Sequence, residues 1–143
     1  MTPPPESLPG GQTWPVRLRP GEDLRTALQA VVAARGASAA FVLAGIGSLR
    51  PACVRLAGAE AALRLDGDVE LLSLSGTIAA NGVHLHLSVA DAAGRVIGGH
   101  AAPGCIVRTT AEVLLLLLPG WDFVRESDAG TGWAELVIRP RAG

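Results

Sequence analysis

The stretch VHLHLSVADAAGRVIGGH, residues 83–100, carries all three histidines of the chain. Val83, Leu85, Leu87 and Val89 alternate with His84, His86, Ser88 and Ala90. Successive side chains of a strand point to opposite faces, so this is a half-buried strand with one apolar and one polar face. Asp91-Ala92-Ala93-Gly94 reads as a turn, with Gly94 able to supply a positive φ. Residues 95–98 then pair back as the second arm of a hairpin. His84 and His86 lie two apart on one face, roughly 6.5–7 Å apart at Cα. Their imidazoles can converge on one ion at about 2.0–2.1 Å from each nitrogen. His100 is the candidate third ligand if the hairpin folds it back beside them. Gly98 and Gly99 would let the backbone bulge or approach closely there. Three histidines with an open fourth position form a catalytic or ligand-binding zinc site and not a closed structural one. The alternative for the same residues is a polar strand face or subunit interface that binds nothing.

Outward from this hairpin the chain reads as one helix and many strands. Glu22–Arg35 is the helix: Leu24, Leu28, Val31 and Val32 make one apolar stripe, Glu22 and Asp23 suit the first turn, and Gly36 suits the cap. Strands are expected at 14–19, 39–44 (ended by Gly45 and Gly47), 52–56, 62–65, 69–78, within 105–118, and at 121–126 and 133–139, the last two completing the sheet. This pattern is α+β, with a mainly antiparallel sheet and one main helix packed on it. Val113–Leu118 is apolar on both faces. The helix can cover one side of such a strand, and another subunit is the expected cover for the other. Residues 1–13, with four prolines and Gly10-Gly11, read as a flexible arm before a single domain over 14–140.

The 143 residues are 49% hydrophobic and 17% charged, which suits one compact domain and excludes disorder. Aromatics are 3% with no Tyr, so the core must be built from Leu, Val, Ile and Ala. The net charge is −1 and all 12 basic residues are Arg, which is not the strong basic excess of a duplex binder. The apolar runs are too short to span a bilayer, and the opening MTPPPESLPGGQTW has neither a basic nor an apolar signal region. Cys53 and Cys105 read as small buried hydrophobes in a reducing cytoplasm and not as a disulfide.

The segments GEDLRTALQAVV, FVLAGIGSL, ELLSLSGT, HLHLSVADAAGRVIGGH and GCIVRTTAEVLLL follow one another from Gly21 to about Leu118. In that order they resemble the PPC domain, conserved between plants and prokaryotes, in its stand-alone prokaryotic form. The resemblance implies a homotrimer of α+β domains. It also implies a fold similar to that of acetolactate decarboxylase, whose zinc is held by three histidines including a His-x-His pair. The matching positions here are His84, His86 and His100. Plant members bind AT-rich DNA through separate AT-hooks, and prokaryotic members often carry a DNA-binding label. No AT-hook core is present here: Arg139-Pro140-Arg141 lacks the central glycine. The plant protein-contact motif Gly-Arg-Phe-Glu-Ile-Leu reads Gly67-Asp68-Val69-Glu70-Leu71-Leu72 in this chain.

Three functional readings follow. The first is a trimer with a three-histidine zinc or small-molecule site. The second is a DNA-associated regulatory protein, and the third a structural trimer without a ligand. Glu112, inside an apolar stretch, is a candidate acid or base beside the metal, with an ion pair to Arg108 as its alternative. Cys105 as a fourth ligand would close the open position such a site needs. No nucleotide-binding glycine motif or serine nucleophile elbow occurs.

Overall fold

The computed structural model describes residues 10–142. Ten strands and one helix follow in the order β1 (Gln12–Leu18), α1 (Leu24–Ala34), β2 (Ala39–Leu49), β3 (Ala52–Arg55), β4 (Leu63–Leu65), β5 (Val69–Ala79), β6 (Gly82–Ala90), β7 (Val96–Ala101), β8 (Val107–Leu117), β9 (Trp121–Ser127) and β10 (Ala134–Pro140). The first eight strands along the chain form one sheet in the spatial order β1-β8-β2-β5-β6-β7-β3-β4, antiparallel at every pairing. The architecture is therefore the expected α+β one. The first nine residues of the arm expected over 1–13 lie outside the described part, and β1 already pairs from Gln12.

The helix forms where the apolar stripe predicts it and is shorter at both ends. Asp23 is the N-cap, and its carboxylate accepts from the backbone N–H of Arg25 at 3.0 Å and of Thr26 at 3.1 Å. Such a cap satisfies donors that the first turn cannot, and is worth about 1 kcal/mol. Glu22 falls outside the helix and accepts from the N–H of Arg19 at 2.6 Å. Leu24, Leu28 and Val32 are buried against the inner face of the sheet, in one core with Leu71, Leu85, Leu87, Val113 and Leu115.

Two expectations need correction. Gly45 and Gly47 do not end β2, which runs on to Leu49 with both glycines inside it. Nor do the last two strands complete the sheet: β9 and β10 form a separate two-stranded ribbon. The reason is that β8, which precedes them, is already paired on both sides, by β1 and β2. The ribbon leans instead on the outer face, where Phe123 is buried beside Ala39 and Ala79 and meets Phe41 edge to face at 5.8 Å. The apolar run in β8 splits by alternation: Val113, Leu115 and Leu117 are buried in the core, while Leu114, Leu116 and Leu118 on the opposite face are half-buried. Among the described residues no helix is long and apolar enough to cross a membrane.

Gly76 is placed where only glycine fits. It lies between Val42 of β2 and Leu85 of β6 at φ 147°. A Cβ there would run into the carbonyl oxygen of His84. Gly76→Ala should lower unfolding free energy by at least about 2 kcal/mol, read by urea denaturation, because both the backbone conformation and the strand spacing must give.

Candidate metal centre

Strand pairing assembles the three histidines. On the outer face, β5 sets Thr77 opposite His84 and Ser75 opposite His86. The hairpin turn is held by Asp91, whose carboxylate accepts from the N–H of Ala93 at 2.9 Å and of Arg95 at 3.0 Å. The returning strand then sets His100 opposite His86 and, across its other edge, opposite Arg55 of β3. Gly99 makes that second pairing possible: a Cβ there would meet the Arg55 carbonyl at 2.5 Å and Val54 Cγ1 at 3.0 Å.

His84 Nε2 lies 3.1 Å from His86 Nε2 and 3.3 Å from His100 Nδ1. All three ligand atoms fall within 4.8 Å of one another. A ring nitrogen has a single in-plane site, either a proton or a lone pair, so His84 Nε2 cannot serve both neighbours as hydrogen bonds. Three lone pairs converging on one cation resolve that conflict. A tetrahedral ion bound at about 2.0–2.1 Å separates its nitrogens by roughly 3.3 Å, which is the spacing seen around His84. Three imidazoles suit a divalent transition-metal ion in chemistry as well as in spacing.

Burial, first, and then the charge of Arg125 and of the other two histidines hold His84 below the ordinary imidazole value of 6.5. His100 is lowered in the same way by burial and then by Arg55, His86 and Arg25. Both rings are thus kept neutral, the form a metal requires. Arg125 of β9 donates to Thr77 Oγ1 at 2.8 Å, and its backbone N–H donates to Asn81 Oδ1 at 2.7 Å, fixing the ribbon beside the cluster. A groove of about 730 Å³ opens next to His84 and His100, lined also by Arg25, Arg55, Arg125 and Trp133. Sequence reading missed these arginines. They come from α1, β3 and β9, and no local pattern links them.

The other two candidates sit elsewhere. Glu112 is exposed on β8, opposite Arg17 and Ile46. Strands β2 and β5 intervene between β8 and the histidine strand β6, so it is displaced by three strand spacings, about 14 Å across the sheet, and does not lie beside the histidines. Its alternative ion pair is also replaced, since Arg108 reaches Asp68 at 3.0 Å. Cys105 is buried in the core, on the other side of the sheet, and its thiol donates to the Cys53 carbonyl at 3.2 Å. Burial pushes that thiol up to about 11, and its place in the core leaves it outside the histidine cluster. Both cysteines are free thiols.

Residues 6–119 match the family model described as the Plants and Prokaryotes Conserved (PCC) domain. A Synechococcus protein named "Bifunctional protein GlmU" is 44% identical over 141 residues, 97% of this chain and 22% of that protein. The chain thus spans about a fifth of the curated relatives it matches. Among solved structures, a hypothetical protein from Salmonella is 39% identical with a TM-score of 0.89, covering 96% of this chain and 99% of its own. The metal-containing protein AF0104 from Archaeoglobus fulgidus is 26% identical with a TM-score of 0.76, covering 92% and 96%.

The depressed imidazoles carry a pH signature. As pH falls through 6.5 the unfolded chain binds protons that folded His84 and His100 refuse, so stability drops with falling pH until their own lower values are passed. Metal-free protein should therefore show a lower urea midpoint at pH 5.5 than at pH 7.5, and a His84→Gln variant a smaller difference.

Proposed function

The chain belongs to the Plants and Prokaryotes Conserved (PCC) domain family, and on that basis we propose that it is a homotrimeric cytoplasmic protein, folded as one domain over 14–140, whose His84, His86 and His100 hold a zinc ion with one position open to a small molecule. The observation that carries this reading is the position of His84 Nε2, 3.1 and 3.3 Å from the other two ring nitrogens. The metal-containing Archaeoglobus relative supports it by analogy of fold. A zinc ion bound through three nitrogens polarises a carbonyl or lowers the pKa of a bound water. The chain's own contribution is to keep the imidazoles neutral and oriented, and to wall the open side with the ribbon β9–β10.

Self-association rests on the opposite end of the same outer face. Phe41 (38% exposed), Leu43 (49%), Ile46 (56%) and Leu72 (48%) stand on the neighbouring strands β2 and β5, next to half-buried Leu114 and Leu116. A contiguous apolar area of this kind is the mark of a face covered by another chain. A role at DNA is the alternative raised by family resemblance, and the site's geometry does not favour it.

Protein purified without a metal-affinity tag should contain about one zinc per chain, and His86→Ala should lose it. A wild type that takes up no zinc even on reloading would remove the metal from this reading. Light scattering should give a mass three times that of the chain, and Ile46→Lys should shift it to the monomer. A monomeric wild type would refute the trimer while leaving the zinc site standing.

A further inference from the structure

The groove beside the histidines holds three arginines, none of which is in an ion pair with an acid. Arg25 donates to the Ala101 carbonyl at 3.1 Å, Arg55 to the Ala59 carbonyl at 3.3 Å, and Arg125 to Thr77 Oγ1 at 2.8 Å. Each partner is a neutral oxygen. The ion pairs among the described residues all use other arginines. Helix α1, strand β3 and the ribbon β9–β10 thus each send one half-buried guanidinium to the same groove. Guanidinium groups are costly to gather without a counter-charge and match oxyanions in two-point geometry. Glu60 and Glu135 also line the groove, so three positive charges face two negative ones. Exposed Trp133 adds a flat apolar wall. A volume of about 730 Å³ is that of a metabolite-sized ligand site.

We propose that this groove binds a small organic oxyanion, a carboxylate or a phosphate, held by Arg25, Arg55 and Arg125, with polar groups of the same molecule facing Glu60 and Glu135. The grip of the arginines stands by itself. That the bound molecule also reaches the open metal position rests on the zinc reading above.

The test is calorimetric titration of inorganic phosphate and, separately, malonate into the full chain at low ionic strength, with and without zinc. At least one probe should bind at one site per chain in metal-free protein. Arg55→Gln and Arg125→Gln should each weaken it about tenfold while zinc content stays at the wild-type level. Arg50→Gln, which lies outside the groove beside Asp68, should leave it unchanged. Unaltered urea midpoints in the variants exclude a folding effect. Phosphate alone binding identifies a phosphate ligand, and malonate alone a carboxylate. Anion binding without any zinc uptake would sink the metal reading and keep this one. Three results overturn the proposal: binding of neither probe in either form of the protein; binding that requires zinc and ignores the arginine variants, which places the anion on the ion alone; and binding of duplex oligonucleotide, but of neither small probe, through Arg55 and Arg125, which makes the groove a contact for a nucleic-acid backbone.

Discussion

The antiparallel register between β6 and β7 puts His86 directly opposite His100, and the candidate site exists only in that register. A slip of one residue would turn His100 to the inner face, among the leucines of the core, and break the cluster. Several local features hold the register at once. Asp91 ties the turn at one end, Gly99 lets β3 close on β7 at the other, and Gly76 lets β5 approach β6 behind the histidines. The buried row of Val83, Leu85, Leu87 and Val89 anchors the same strand from beneath. The strand is thus fixed by apolar burial on one face, and its other face is left free to carry chemistry.

That division runs across the whole sheet. The inner face is covered by α1 and is wholly apolar where it meets Leu24, Leu28 and Val32. The outer face is divided. One end, on β8, β2 and β5, is apolar and exposed; the other, on β6 and β7, carries the histidines. The ribbon β9–β10 sits between these uses. Phe123 seats it on the apolar part, and Arg125 reaches Thr77 beside the histidine strand. One short ribbon therefore helps cover hydrophobic surface and also supplies a charge to the groove.

The lowered imidazoles, the unpaired arginines and the open groove belong to one electrostatic design. Burial, and after it the positive charge near His84 and His100, discourages their protonation and leaves both rings neutral donors. The same positive charge would resist a dication unless an anion accompanied it. In the reading proposed above, ion and oxyanion offset each other's charge.

Alternation alone determined a good deal here. It gave the strand 83–90 two faces, put His84 and His86 on one of them, and split the helix 24–34 into a buried stripe and an exposed side, because these periods are local properties of the chain. The turn at 91–94 was equally local, but the helix ends were not legible to the residue: Asp23, expected in the first turn, is the N-cap. The family was readable too, since it lay in the order of segments. What only the tertiary structure decided depended on which strands became neighbours. Strand order carried Glu112 three positions away from the histidines, although its own pattern resembled that of a site residue. Close backbone approach made Gly45 and Gly47 parts of β2 and not its end, and the lack of a free edge beside β8 turned the last two strands into a ribbon. Arg25, Arg55 and Arg125 lie far apart in sequence, and no period connects them. They meet because a helix start, a short strand and a ribbon converge at one end of the sheet, a convergence set by long-range pairing and by no local rule.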